Sequence, residues 1–550
     1  MLIYTPPKNQ DLPKPTEKPW LLLLLCCVWL WPAIFGHDPW KPYEPYIYQS
    51  VLEMLETHRG IAPQVHGTWY VSTPPLYAWV GAFFHELFSP WLLSGYDAVR
   101  LATPLFMSIG LAFAGGAGRH LLGRRNGRSV VLILIGCSGL MVVGHQMDNM
   151  AATFMGYAMA MYAISLSPKK PGLAGALLGG SLVVILLSSN LLELSFVILL
   201  TLVLPSFSHW RNRQYLICLV FAFTLAIPLG LVWPLSLRAE LPQVFDLWWQ
   251  TFAWSGVSKL NQAVFLNDLG YYPTVVLWFT FPAWPLALWS LYKRQSVSLP
   301  ALQLSVVWFV LSLILLTLLS QHSSEYAVVL LLPLAVLGAA QLDSLRRGAA
   351  AFLNWFGVMT FGALALFLWI GFIAMNWGWP TKLAERSLYF SPFYTPTISF
   401  FAVIIAVLVT PVWLWSVTRK HLRGRQAVTN WAAGMTMAWV LIFTLWLPWL
   451  NQAKSFRPVV LQMEASLSPK LKNNLMAGNV CMQADSTNLQ LVTAWREYGS
   501  LPLKLNRTHC RYKIVVGAEE MQIEHGWQVM WQGARPRDKN NTYRLLKRII

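Results

Sequence analysis

The chain has 550 residues, of which 56% are apolar and only 12% are charged. Soluble domains carry about 25% charged residues, so this composition excludes a soluble globular protein, a disordered chain and a fibrous repeat. The net charge of +18 comes from 41 basic and 23 acidic residues. In a soluble protein that charge would suggest a nucleic-acid partner, whereas in a membrane protein it indicates basic cytoplasmic loops, and we expect no nucleic acid.

Thirteen apolar segments have about the length that a helix needs to cross a bilayer, which is roughly 20 residues. In chain order they are 20–37, 101–118, 129–146, 149–166, 172–188, 190–205, 215–235, 272–291, 301–319, 326–341, 355–376, 396–416 and 430–449. The sequence therefore predicts an all-α polytopic membrane protein.

A further apolar run at 74–93 is not counted as a span because His85 and Glu86 interrupt it. Its apolar residues repeat at helical spacing, which predicts an amphipathic surface helix. They are Leu76, Val80, Phe83 and Leu87.

The charged loops then fall on one side of the membrane, with 19 basic residues against three acidic ones, and the positive-inside rule makes that side cytoplasmic. The basic residues are Lys8, Lys14, Lys18, Arg119, Arg124, Arg125, Arg128, Lys169, Lys170, Arg211, Arg213, Lys293, Arg294, Arg346, Arg347, Arg419, Lys420, Arg423 and Arg425. The acidic residues are Asp11, Glu17 and Asp343.

This topology divides the chain into a cytoplasmic N-terminus at 1–19, a transmembrane domain at 20–450 and an outer domain at 451–550. The first outer loop is 38–100. Alternation of polar and apolar residues predicts a small α/β fold for the outer domain. Its short strands are expected around 479–483, 511–516, 527–531 and 543–549.

Two of the six cysteines, Cys481 and Cys510, lie in the polar outer domain. They are candidates for a disulfide in an oxidising compartment, and two free thiols are the alternative. No zinc-binding spacing is present in the sequence.

The first outer loop carries the most informative charges. Asp38 follows the first apolar segment at once, with Lys41 and Glu44 at three-residue intervals. An amphipathic helix is expected over 45–58, and a second surface helix from Pro74, both lying on the bilayer. Charged caps and anchors at a helix end are the structural alternative for these residues.

Other isolated polar residues gather at the same boundary. His145 and Asp148 lie in a short outer turn, where Asp148 has helix capping as its alternative role. Glu193 lies inside an apolar run, which is costly unless it faces a cavity or a partner. His322 and Tyr326 lie in another short outer turn. Together with Tyr43 of the first loop, His145, Glu193, His322 and Tyr326 are candidate substrate-binding residues.

Several motifs occur together in the segment 36–160: an Asp after the first span followed by a basic residue at the third position, Gly67 to Leu76 with its Pro-Pro-Leu ending, and Ala98 to Leu101. In this order they resemble the aminoarabinose transferase family, lipid-linked-sugar glycosyltransferases with the GT-C fold that are related to protein O-mannosyltransferases. Thirteen spans and a periplasmic C-terminal domain match the family's topology.

The resemblance implies a bacterial inner-membrane enzyme with a polyprenyl-phosphate sugar donor, such as undecaprenyl phosphate, and a periplasmic-face acceptor such as lipid A or another envelope glycan. It implies that Asp38 is the catalytic carboxylate, that Asp148 matches a second family aspartate and is a further catalytic candidate, and that Lys41 binds the donor phosphate. Glu44 is another catalytic candidate from its place in the first outer loop. A carboxylate can orient or deprotonate the attacking hydroxyl, and cations stabilise the leaving phosphate.

Ser72-Thr73 stand where the family usually has Glu-Lys before Pro-Pro-Leu. This departure removes an acid that takes part in a metal site in some members, so no cofactor is evident and a divalent metal stays an open alternative. It also removes a phosphate-binding lysine, for which Arg59 and Arg100 are candidate replacements.

Two other functions stay open on the sequence. One is a transporter or lipid flippase, which would place polar residues at the bilayer midplane and show repeats. The other is a non-catalytic scaffold of the same fold.

Overall fold

The computed structural model describes residues 19–40, 44–65, 68–71, 73–254, 270–292, 299–318, 323–418, 424–485, 489–505, 509–517, 523, 525–536, 538 and 541–549. Most of these residues form helices. Those that precede the C-terminal domain are α1 (Pro19–Leu30), α2 (Glu44–Thr57), α3 (Leu76–Phe88), α4 (Gly95–Arg100), α5 (Ala102–Leu122), α6 (Arg124–Ile135), α7 (Ser138–Val143), α8 (Met150–Leu166), α9 (Pro171–Ser188), α10 (Leu191–Val203), α11 (Arg213–Glu240), α12 (Pro242–Trp248), α13 (Tyr271–Phe279), α14 (Ala283–Tyr292), α15 (Pro300–Leu318), α16 (Val328–Ala340), α17 (Arg347–Trp377), α18 (Thr381–Phe390), α19 (Phe400–Val417) and α20 (Gly424–Leu445). Short 3₁₀ or π turns occupy Leu204–Ser206, Trp249–Ala253, Ser324–Ala327 and Leu342–Ser344, and a two-stranded hairpin joins β1 (Gln64–Val65) to β2 (Thr68–Trp69).

Seven of the described helical segments are long and apolar enough to cross a membrane: α4 with α5, α9, α11, α15, α17, α19 and α20. The pair α13 and α14, bent by 99°, makes an eighth. Four shorter apolar helices, α1, α8, α10 and α16, and the pair α6 and α7 cover the remaining predicted segments. The prediction of a multi-helix membrane protein is confirmed.

One predicted span, 129–146, is a broken helix. It divides between α6 and α7 at Gly136, whose carbonyl accepts a hydrogen bond from the Trp431 indole at 2.9 Å. A Cβ at position 136 would lie 2.9 Å from the same ring. The close approach of α20 therefore coincides with the break. The hydrophobic periodicity of the sequence does not predict this break.

Loops that the sequence predicts to be cytoplasmic meet at one end of the bundle. Arg425 forms a bidentate ion pair with Asp343 at 2.7 Å and donates a hydrogen bond to Asn126 at 2.9 Å. We call this the basic end. The opposite end carries α2, α3 and the C-terminal domain, and we call it the domain end.

The two predicted surface helices have different environments. On α3 the buried residues are small or aromatic, such as Ala78 and Gly81, and the predicted stripe ends in Phe83 and Leu87, which are exposed. An apolar face is thus free for a bilayer surface. In contrast, α2 is buried along most of its length and packs against α3 and helix α24 of the C-terminal domain.

The C-terminal domain combines helices with a five-stranded sheet, which confirms the predicted α/β module. Its elements are α21 (Leu447–Lys454), α22 (Arg457–Ala465), α23 (Pro469–Met476), β3 (Met482–Ala484), α24 (Leu489–Tyr498), β4 (Leu503–Leu505), β5 (Tyr512–Gly517), β6 (Trp527–Gly533) and β7 (Thr542–Arg548). The strand order is β4-β3-β5-β7-β6, with β3 parallel to β4 and β5 and the remaining pairs antiparallel. Strand β4 is additional to the four predicted strands, and the sequence did not place the helices of this domain individually. The structure pairs Cys481 with Cys510, next to the paired starts of β3 and β5.

Candidate active site

A cavity of about 320 Å³ lies at the domain end, among α7, α20, α21 and the segment that follows α1. The backbone reverses at Gly36, whose φ of +70° favours glycine, and this turn directs His37 and Asp38 into the protein. The polar residues that line the cavity are His37, Glu44, Arg100, His145, Gln146, Asp148 and Lys454. Trp40, Trp439 and Phe443 supply aromatic walls.

One wall of the cavity is a buried ion pair between Glu44 and Arg100. Arg100 Nη1 lies 3.0 Å from Glu44 Oε1, and both side chains are almost completely buried. Tyr96 donates to the other Glu44 oxygen at 2.9 Å, and Arg100 Nη2 donates to the carbonyl of His145 at 2.6 Å. Because both of its terminal nitrogens are engaged within the protein, Arg100 contributes positive potential to the cavity more than free hydrogen-bond donors.

Among the described residues, Asp148 is the carboxylate of the cavity that forms no ion pair with a cation. One oxygen accepts a hydrogen bond from the backbone N–H of Asn149 at 2.6 Å. Burial raises the pKa of Asp148 to about 7, and the nearby carboxylates of Glu325 and Glu44 act in the same direction. A carboxyl group with a pKa near neutrality can accept or hold a proton at working pH.

Asp38 is buried beside the cavity, but its carboxylate is turned towards the C-terminal domain. Arg457 Nη2 donates to Asp38 Oδ1 at 2.9 Å, while Oδ2 accepts no well-formed hydrogen bond within the described part of the chain. Burial raises the pKa of Asp38, and the Arg457 guanidinium and the hydroxyls of Ser455 and Tyr498 oppose that rise.

Helix α21 joins the site to the C-terminal domain. The Asn451 side chain accepts from the Asp38 backbone N–H and the Trp40 indole, each at 3.2 Å, and donates to the Gly36 carbonyl at 2.9 Å. One turn on, the Lys454 ammonium lies 4.5 Å from the centre of the Trp40 ring. Among the described residues no carboxylate forms an ion pair with Lys454, so this cation of the cavity is free to meet an anion.

Comparisons with solved structures show where this architecture occurs. Two crystal structures of ArnT from Cupriavidus metallidurans, one in the apo state and one bound to undecaprenyl phosphate, match with TM-scores of 0.65 and 0.64. Each is 14% identical over 96% of this chain and 98% of that chain.

This chain has the ArnT fold. It is a GT-C glycosyltransferase fold, as the sequence motifs imply. The oligosaccharyltransferase of Archaeoglobus fulgidus, 13% identical over 90% of this chain and 65% of its own, has a TM-score of 0.42. No family model and no curated protein sequence matches the chain.

Within the ArnT fold, the structure brings some predicted site residues to the cavity and places others apart from it. Glu44, Arg100, His145 and Asp148 line the cavity. Both ring nitrogens of His145 face backbone carbonyls, those of Met141 at 2.7 Å and Trp29 at 2.6 Å, which ties this imidazole to the bundle.

The remaining predicted site residues lie outside the cavity or outside the described part of the chain. Arg59 is exposed just beyond the end of α2 and does not line the cavity. Glu193 is buried in α10 beside Tyr157, and Tyr326 also lies near Tyr157. Lys41, Tyr43 and His322 fall outside the described residues.

The sequence analysis did not identify His37 and Gln146, which line the cavity. It also missed three residues that reach the site from distant helices: Asn451, Lys454 and Arg457. All three lie more than 400 residues after Asp38, in helices of the C-terminal domain. A weak signal was present, because polar and basic residues follow the last apolar segment directly. Among the described residues, no group of three or more histidine, cysteine, aspartate or glutamate side chains is arranged to hold a metal ion.

Proposed function

We propose that this chain is a membrane glycosyltransferase that moves a sugar from a polyprenyl-phosphate donor to an acceptor at the domain end. The observation that carries the proposal is the cavity, which combines the buried carboxyl of Asp148 with the cations Lys454 and Arg100 between aromatic and aliphatic walls. The ArnT structure that shares this fold binds undecaprenyl phosphate.

In the proposed reaction, the acceptor hydroxyl oxygen attacks the anomeric carbon of the donor sugar. The bond between that carbon and the phosphate oxygen breaks, and the polyprenyl phosphate leaves with the electron pair. The proton of the hydroxyl passes to Asp148, which its raised pKa suits for the role of general base. Lys454, supported by the potential of Arg100, stabilises the charge that develops on the leaving phosphate.

Asp38, the catalytic carboxylate that the resemblance implies, has a different place in this proposal. Its bond to Arg457 fixes the segment that carries Trp40 and connects the cavity wall to the C-terminal domain. Asn substitutions at Asp38 and Asp148 assign the base: the variant that loses transfer while donor binding persists marks the proton acceptor.

We also propose the cellular setting. The basic end carries the arginine- and lysine-rich loops, so we place it in the cytoplasm and the domain end in the periplasm of a bacterial inner membrane. The Cys481–Cys510 pair is compatible with an oxidising compartment on that side. Lipid A or another envelope glycan is then within reach as acceptor.

The test is mass spectrometry of lipid A and the other envelope glycans from a deletion strain, complemented with the wild-type chain or with Asp148→Asn. We expect a sugar to be missing from one glycan, to return with the wild-type chain and to stay missing with the variant. An unchanged set of glycans together with altered solute uptake would contradict the proposal and favour a transporter.

A further inference from the structure

A second cavity reaches the basic end and shares no lining residue with the candidate active site. It is an open groove of about 580 Å³ between α1 on one side and α5 and α6 on the other. This volume is in the range of pockets that bind small ligands, roughly 300–1,000 Å³. Nothing in the proposed glycosyl transfer uses it.

The walls of the groove are apolar over most of its length. Leu22, Leu23 and Leu30 of α1 face Leu111 and Ala112 of α5. Both helices are apolar membrane segments, and Leu23 and Ala112 are exposed on the side that lipid would cover. The groove therefore opens towards acyl chains and not towards water.

The end of the groove is basic. Arg119, at the end of α5, lies beside Arg124 and Arg128, which are one turn apart on α6. A tight crossing brings them together, because a Cβ at Gly127 would lie 2.5 Å from the carbonyl oxygen of Gly115. The turn between the helices uses Gly123, with a φ of +95°.

No acidic residue lines the groove within the described part of the chain, and there Arg119 and Arg124 form no ion pair with a carboxylate. The nearby Asp343 is engaged by Arg425. Three guanidinium groups at one end of an apolar groove match a phosphate joined to acyl chains, since arginine binds phosphate well at a membrane boundary.

We propose that this groove binds an anionic phospholipid of the leaflet at the basic end, with the phosphate headgroup against Arg119, Arg124 and Arg128 and the acyl chains along α1 and α5. The site is separate from the proposed donor cavity and is independent of the proposed glycosyl transfer.

The experiment uses the full chain, purified in a neutral detergent, and counts bound lipids by native mass spectrometry. The probes are phosphatidylglycerol and phosphatidylcholine with identical acyl chains. The test variant is R119Q/R124Q/R128Q. Its matched control is K170Q/R213Q/R347Q, which removes the same charge from exposed residues of the same predicted face that do not line the groove.

We expect the wild-type chain to retain phosphatidylglycerol in preference to phosphatidylcholine and the control triple to match it. The groove triple should bind phosphatidylglycerol about fivefold more weakly for each arginine removed. Equal losses in the two triples, or no preference between the lipids, would overturn the proposal.

A second variant keeps the test decisive if the groove triple folds poorly. Ala112→Trp fills the groove from an exposed position, with Ala112→Ser as control. We expect the tryptophan variant alone to lose the preference for phosphatidylglycerol. Its retention by that variant, or full displacement of the lipid by free glycerol phosphate, would contradict a site that also binds acyl chains.

Discussion

The two arginine–carboxylate pairs next to the candidate active site differ in their surroundings. Glu44 and Arg100 are both buried and belong to one bundle of helices. Asp38 and Arg457 join two parts of the chain 419 residues apart, and the Arg457 side chain is 44% exposed. The Glu44–Arg100 pair is a fixed part of the cavity wall, because separating two buried charges is costly. The Asp38–Arg457 pair can open to water, so it holds the C-terminal domain against the bundle less rigidly.

The largest effect is expected outside both pairs, at Asp148. Asp148→Asn should reduce the rate of sugar transfer by about 10²–10⁴-fold, because the amide cannot accept the proton. In the wild-type chain kcat/KM should rise with pH through about 7, as Asp148 loses its proton, and stay level above that pH.

Asp148→Asn should lower the transfer rate but raise the stability of the fold at high pH. The folded-state pKa of Asp148 lies above its unfolded value, so its contribution to the free energy of unfolding is present at low pH and is lost as pH rises through about 7. Asp148→Asn should therefore melt at a higher temperature than the wild-type chain at pH 8 and not at pH 4. A lower melting temperature at pH 8 would contradict a strained, uncompensated carboxyl.

The next largest effect is expected for the buried Glu44–Arg100 pair. Arg100→Met should lower the free energy of unfolding by about 3–5 kcal/mol, because it leaves the Glu44 carboxylate buried without its cation. Thermal unfolding in detergent measures the change. Adding Glu44→Gln should recover part of the loss, and a lack of recovery would show that the two side chains are not energetically coupled.

The disulfide tests the C-terminal side of the comparison. Cys481→Ser with Cys510→Ser should cost about 2–4 kcal/mol in the C-terminal domain, since the bridge closes a loop with a sequence separation of 29. Limited proteolysis should show earlier cleavage within 451–550 and unchanged protection of the bundle. Equal cleavage of both regions would contradict two separate hydrophobic cores.

The smallest effect is expected for the Asp38–Arg457 pair, which joins the bundle to the C-terminal domain. Arg457→Ala should cost about 1 kcal/mol, because the guanidinium is partly solvated. It removes the charge that holds down the pKa of Asp38, so that pKa should rise further. The difference in melting temperature from the wild-type chain should be greater at high pH, where Asp38 is charged, than at low pH, where it is protonated. A difference that grows towards low pH would contradict the pairing.

Much of this architecture could be predicted from the sequence, for physical reasons that differ between elements. Lipid requires long apolar helices, so the spans were evident, and the interruption at His85 and Glu86 identified α3 as a surface helix. Asp148 was predicted because it lies in a very short turn between two apolar segments, at a position that matches the family motif. The contacts between the site and the C-terminal domain were not predictable, since Asn451, Lys454 and Arg457 reach the site only when that domain docks on the bundle. The burial of α2 follows from that docking too.

The measurement that tests the central claim most directly is turnover of a polyprenyl-phosphate sugar by the purified full chain. Undecaprenyl phosphate carrying a radiolabelled sugar is incubated with an envelope glycan extract. The amounts of released undecaprenyl phosphate and of labelled glycan are measured separately in the same reaction. We predict equal amounts of the two products with the wild-type chain and at least a hundredfold lower rate with Asp148→Asn. No turnover of donors covering hexose and pentose sugars, or equal rates for the two proteins, would contradict the account.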